Sequence, residues 1–248
     1  KDKLVILRDN RGQSTIQVLN AKNGETIWMK NRNTRNGWAT PAVVEHEGTT
    51  QVITTASRPD AGNRNSPGKV ISYDLENGNV IWECSGLTDN AIPCPIVEDG
   101  IAYCMTGYQG FSSLAVPISG KGDQSENILW RRELGTPYVP SPILYDGLLY
   151  FTQSNQAILS CVDAKTGKVL MERTRLPALS NVYASLVGAG NHLYVVGRYG
   201  KTAVIKRTGK FDLVATNTLD DRFDASPAVR GDQLFLRGHR FLYCIERE

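Results

Sequence analysis

The stretch TPYVPSPILYDGLLYFTQSNQAILSCVDAKTGKVLM, residues 136–171, decides the fold. It holds four short apolar runs separated by turns. Val139 to Tyr145 ends at Asp146-Gly147, a two-residue hairpin signal. Leu148 to Thr152 ends at the polar trio Ser154-Asn155-Gln156, and Ile158 to Val162 ends at Ala164-Lys165-Thr166-Gly167. Lys168 to Met171 begins the fourth run. The pattern predicts four antiparallel strands of about five residues, rich in β-branched and aromatic side chains, forming one small twisted sheet. Such a sheet has two apolar faces and cannot bury both alone. It needs copies of itself on either side.

Those copies are present. The residue pair that opens the first strand recurs as Thr40-Pro41, Cys94-Pro95, Ser141-Pro142, Ser185-Leu186 and Ser226-Pro227, at steps of 54, 47, 44 and 41 residues. The hairpin turn recurs as Asp99-Gly100, Asp146-Gly147, Gly190-Asn191 and Gly231-Asp232. A third marker is a turn glycine with a large apolar residue four positions on: Gly24 with Trp28, Gly78 with Trp82, Gly167 with Met171. Trp130 takes the same place after an insertion at 120–127, and Phe211 and Leu213 fill the corner differently in the next unit. Three markers in fixed order, at a period of about 40 to 50 residues of pure β pattern, predict a β-propeller of four-stranded antiparallel blades.

In repeat register, Leu4 to Leu7 matches the second strand of a blade, and Phe241 to Ile245 matches the third. The expectation is therefore four complete and two partial blades in a single propeller domain over residues 1–248, a segment of a longer propeller whose N-terminal blades and any export signal lie outside this sequence. The outer-strand tryptophans are expected to cover the gap to the neighbouring blade, burying a large area while each indole N–H finds an acceptor. The insertion at 57–68, with two prolines and two glycines, adds nothing to a core and reads as a functional or mobile loop.

Composition excludes several classes. The 28 basic and 25 acidic residues nearly balance, at a formal charge of +3, with no basic stripe for nucleic acid. No apolar run approaches the ~18 residues of a membrane span. The five cysteines form no metal or disulfide spacing and read as buried small hydrophobes. His46, His192 and His239 stand apart from any nucleophile motif, and no phosphate-cradling or calcium-loop signature occurs.

The unit Leu19 to Trp28, LNAKNGETIW, with its counterparts Tyr73 to Trp82 and Val162 to Met171, resembles the tryptophan-docking repeat of quinoprotein propellers. Over essentially its whole length the chain is similar to pyrroloquinoline-quinone-like repeat proteins, of the outer-membrane assembly lipoprotein kind. That resemblance implies a ring of seven or eight blades, an export signal and a periplasmic or outer-membrane-associated location. It also implies one of two roles. Some relatives are dehydrogenases that hold the quinone and calcium over the ring axis; many others are scaffolds without cofactor. The vicinal Cys-Cys pair typical of the dehydrogenases is absent here.

The loops before the innermost strands are expected to point at the axis. They supply Arg35, Trp38, Asp89, Asn90, Tyr138, Asn181, Tyr183, Arg222 and Asp224 as a candidate ligand funnel, with no catalytic or metal residue assigned. The leading expectation is a non-catalytic scaffold, without cofactor, for a protein or peptide partner. The alternatives are a dehydrogenase dependent on pyrroloquinoline quinone (PQQ) and calcium, with further ligands in N-terminal blades, and a carbohydrate-binding propeller that stacks sugars on Trp38, Tyr138 and Tyr183. The two partial blades leave apolar faces without a neighbour, so the isolated segment is expected to self-associate. Light scattering checks this; a strictly monomeric, stable segment contradicts it.

Overall fold

The computed structural model describes residues 2–60 and 62–246. They form two compact units, Lys1–Leu134 and Gly135–Glu248. Every element is a β-strand, and the sheets are the blades of a β-propeller.

In the first unit, β1 (Lys3–Arg8), β2 (Ser14–Asn20) and β3 (Thr26–Arg32) form a three-stranded sheet. The second blade has β4 (Ala42–His46), β5 (Thr49–Ala56), β6 (Gly68–Asp74) and β7 (Val80–Leu87). The third has β8 (Ile96–Glu98), β9 (Ile101–Thr106) and β10 (Ser112–Pro117), then two short pieces, β11 (Gly122–Asp123) and β12 (Trp130–Arg132). The insertion before Trp130 has a use the sequence did not reveal. Its β11 leaves its own blade and pairs in parallel with β7, Gly122 beside Trp82, making the second blade five-stranded.

In the second unit, β13 (Ile143–Tyr145), β14 (Leu148–Thr152), β15 (Ile158–Asp163) and β16 (Val169–Arg175) form one four-stranded blade. The next has β17 (Val187–Ala189), β18 (His192–Val196), β19 (Lys201–Lys206) and β20 (Leu213–Thr218). The chain ends on β21 (Ala228–Arg230), β22 (Gln233–Arg237) and β23 (Leu242–Glu246). Four complete and two three-stranded blades are thus seen among the described residues. The strand expected from Val139 shrinks to Ile143–Tyr145, because Pro140 and Pro142 lack N–H donors for a ladder.

Turn chemistry sets the register. Asp99-Gly100 and Asp146-Gly147 have positive φ at both positions, the mirror-image turn that matches strand twist. Glu47-Gly48 is a further copy, at φ of 48° and 77°, hidden in the sequence because glutamate is an uncommon residue there. Where the third strand meets the fourth, a register shift recurs at Val18/Leu19, Ser72/Tyr73, Cys161/Val162 and Val204/Ile205. A bulge at the same place in these four blades bends the outer strand alike.

Neighbouring blades are held at both their outer and inner ends. At the outer end, Trp28 donates from Nε1 to the Leu75 carbonyl at 2.8 Å. Its ring lies against Gly78, where an added Cβ would fall 2.7 Å from the indole. Trp82 is fully buried and donates to Gln51 Oε1, while Gln51 Nε2 reaches the Ile118 carbonyl of the third blade. Met171 fills the equivalent place in the second unit, packed with Tyr150, Leu193 and Ile205.

At the inner end, within each unit, residues that mark the repeat bond to their counterparts in the next blade. Thr40 N donates to Cys94 Sγ, Ser141 N to Ser185 Oγ, and Ser185 N to Ser226 Oγ. All five cysteines are free thiols; Cys84, Cys104 and Cys161 are buried, and burial raises their pKa values.

One carboxylate organises the last blade. Asp221, its side chain 2% exposed, accepts from the N–H groups of Arg222, Arg240 and Phe241 and from the Tyr243 hydroxyl. Desolvation pushes its pKa up, but these donors outweigh it and hold the carboxyl below its ordinary 3.8. A lowered folded-state pKa contributes stability above the unfolded value, and that contribution is lost as pH falls through the folded one. Thermal melts from pH 7 down to pH 2 should therefore show a loss of stability below pH 3.8 that Asp221→Asn removes, the variant being weaker at neutral pH. An unchanged profile refutes the role.

The tryptophans give a second test. Trp82→Ala is expected to lower stability by about 3–5 kcal/mol, the range for deleting a large buried aromatic. Trp38→Ala, at 58% exposure, should lower it far less. Denaturant midpoints measure both, and equal shifts refute the assignment.

Candidate functional site

In the first unit, all four predicted residues meet in one cleft. Arg35, Trp38, Asp89 and Asn90 line a cavity of about 310 Å³. Each comes from a loop that precedes an innermost strand, and backbone bonds lash these loops together. Gly37 bridges Ala91 in parallel, Trp38 N donates to the Ala91 carbonyl at 2.8 Å, and Ala91 N donates to Ser57 Oγ. Ser57 Oγ in turn donates to the Asn36 carbonyl.

Further lining residues escaped the sequence reading: Arg11, Tyr108 and Gln109, with Ser57 and Asn36. Arg11, Ser57 and Tyr108 sit in loops that follow the second strand of a blade. In an antiparallel blade that loop lies at the same end of the sheet as the loop before the first strand. The topology was therefore the signal that could have found them. Asn90 and Gln109 hold left-handed backbone, at φ of 52° and 53°, which turns each loop sharply at the cleft.

The electrostatics of the cleft are one-sided. Asp89, its only carboxylate, is buried and paired with Arg58 at 3.4 Å. The guanidiniums of Arg11 and Arg35 have no ion-pair or hydrogen-bond partner among the described residues. Trp38 and Tyr108 are exposed beside them. The cleft therefore offers two uncompensated guanidiniums, two aromatic surfaces and the amides of Asn36, Asn90 and Gln109.

In the second unit the predicted residues divide. Arg198, in the loop after β18, draws Tyr183 and Asp224 together: its guanidinium stacks 4.3 Å from the Tyr183 ring centre. Its Nε lies 2.6 Å from Asp224 Oδ1 and its Nη2 3.2 Å from Oδ2. His239 Nε2 adds a contact of 3.3 Å to the same carboxylate. Partial desolvation raises the Asp224 pKa, but the Arg198 and His239 contacts prevail and lower it. Arg222 lies over the exposed ring of Tyr199 at 5.5 Å.

Asn181 takes part in a bridge with Gln156, and its buried Oδ1 accepts no hydrogen bond among the described residues. Tyr138 is half-buried, its N–H bonded to the Ser154 carbonyl. Of the three aromatics expected to stack sugars, Trp38 alone is exposed, and one face of Tyr183 is occupied by Arg198. Among the described residues no helix is long and apolar enough to cross a membrane, and no group of three or more His, Cys, Asp or Glu is placed to hold a metal ion.

No curated protein matches this sequence. Solved structures do resemble it. The crystal structure of BamB from Moraxella catarrhalis superposes with a TM-score of 0.51 at 12% identity, covering 98% of this chain and 81% of that one. Quinohemoprotein alcohol dehydrogenase from Comamonas testosteroni superposes with a TM-score of 0.56 at 12% identity, covering 87% of this chain and 41% of the enzyme. At such identity these likenesses establish the propeller fold alone. The sequence carries the assignment further: the family model described as outer membrane protein assembly factor BamB matches residues 1–173, and the chain belongs to that family of PQQ-like repeat propellers.

Proposed function

We propose that this chain is a non-catalytic propeller scaffold that docks a protein or peptide partner outside the cytoplasm, in the periplasm or at the outer membrane. Its six blades act as one propeller domain, and the cleft of the first unit is the docking point. The observation that carries the reading is the lining of that cleft. Arg11 and Arg35 are unpaired among the described residues beside the exposed Trp38, a combination typical of the anchor residues of protein interfaces. Family membership supports the scaffold role and the location, since the matched family is described by its part in outer-membrane protein assembly.

The neighbouring alcohol dehydrogenase motivates the competing reading, a quinone and calcium site. Calcium needs several oxygen ligands, carboxylates among them. The two acids of the candidate funnel are engaged elsewhere, Asp89 by the buried Arg58 and Asp224 by Arg198 and His239. The residues present therefore do not fit a calcium-bound quinone.

The test uses the full-length gene product. A photo-crosslinking residue in place of Trp38 should give discrete protein adducts in cells, reduced strongly by Arg35→Glu, while one in place of the exposed Val169 should not. Stoichiometric uptake of quinone with calcium, accompanied by dye reduction, overturns the reading, as does a Trp38 position that crosslinks nothing.

A further inference from the structure

A second cleft, of about 570 Å³, opens on the flank of the first unit, between the outer strands of the second and third blades. The two insertions of that unit meet there. The loop at 57–67 contributes Arg58 and Arg64, the segment before β12 contributes Ser125, and β12 contributes Arg131. No part of the docking reading uses this place.

Three features make it a built site. Arg58 is 8% exposed, yet its Nε is buried without a hydrogen-bond partner among the described residues. Its one ion pair, from Nη1 to Asp89, is long at 3.4 Å. A guanidinium presents five donors in a rigid fork, and buried donors in native proteins are almost always paired, so the unmatched Nε leaves the fork of Arg58, a residue that lines this cleft, incompletely satisfied.

Arg131 is held in place by its backbone neighbours. Its Nη2 lies 3.4 Å from the Ser85 carbonyl, above Gly86, where an added Cβ would sit 2.9 Å away. Only glycine at position 86, with φ of 139°, leaves room for it. Arg64 lacks a partner among the described residues. The wall behind them is fixed, because Ser85 N donates to Ser125 Oγ and Ser125 donates to Asp123. Glu126 and Glu133 line the same cleft and are exposed. Glu133 is 3.9 Å from Arg131 with its side chain 70% exposed, a pairing that solvent weakens.

We infer that this cleft binds a phosphate-type oxyanion, anchored by Arg58 and closed over by Arg64 and Arg131. Three guanidiniums from two chain segments, the loop at 57–67 and β12, suit a group with three or more acceptor oxygens better than a carboxylate, which has two. A free phosphate compound and a phospholipid headgroup share that chemistry.

The experiment follows the arginine Nε–H signals by nitrogen-15 NMR while inorganic phosphate is titrated at constant ionic strength, with acetate as the comparison. The Arg58 signal should move saturably with phosphate and much less with acetate. Arg131→Gln and Arg64→Gln, at exposed side chains that the fold does not need, should each weaken phosphate binding about tenfold. Gly86→Ala should weaken it as well, by displacing Arg131.

A second arm sediments the protein with phosphatidylglycerol vesicles. Pelleting that is lost in the double variant identifies a headgroup as the source. Saturable phosphate binding without pelleting identifies a soluble ligand, and either result supports the site. A linear shift, equal responses to phosphate and acetate, or binding indifferent to both glutamine variants overturns it.

Discussion

A four-stranded blade is too thin to have an interior. Its buried residues, such as Val70, Cys84 and Cys104, are covered only because another blade lies against them, and they form clusters that span two blades. Burying these faces is the main source of stability, at roughly 25 cal/mol per Å² of apolar surface. Every other feature of the chain serves that stacking or exploits it. The outer staples of Trp28, Trp82 and Met171 close the widening gap at the rim of three blade pairs, two in the first unit and one in the second. Two are tryptophans and the third is a smaller methionine, whose flexible thioether fills the gap in a different way.

Stacking alone leaves the blade ends unspecified, and buried polar contacts set them. Arg32 is nearly inaccessible. It holds Asp9 through Nε at 2.9 Å, donates from Nη1 to Thr54 and Tyr73, and reaches the Thr55 carbonyl. Desolvation still raises the Asp9 pKa despite the arginine beside it, which shows the electrostatic penalty of burying such a pair. What the network provides is position: it ties the loop after β1 and the end of β3 to the second blade. Arg207 does similar work in the second unit, stacked 3.3 Å from the Tyr145 ring centre and bonded to Asp146 and the Gly190 carbonyl.

The loops held this way carry whatever the protein does. The family model and the two superposed structures agree on the blades and diverge in role, one neighbour being BamB and the other an alcohol dehydrogenase. The same scaffold supports both because its core consists of strands while its chemistry lies in loops at the strand ends. In this chain the acids among those loops are neutralised by arginines from the adjacent blade, which leaves cationic and aromatic side chains to face outward in the first unit.

The sequence by itself determined the blades. Strand periodicity, the Asp-Gly and Gly-Asn turns and the apolar residue four places after a turn glycine act over a few residues, so they survive in a linear reading. They located the five innermost strands of the described residues, β4, β8, β13, β17 and β21, through the residue pair before each. Residues such as Arg35, Trp38, Asp89 and Asn90 were legible as a group because they share one position in the repeat.

Tertiary structure decided what those residues face. Arg58 meets Asp89 across 31 residues, and Arg198 meets Asp224 across 26, so neither pairing leaves a trace in spacing or composition. The parallel strand at Gly122–Asp123 and the flank cleft beside Gly86 likewise arise only where two blades already stack. Contacts between blades depend on the twist and distance of packed sheets, which no local pattern encodes.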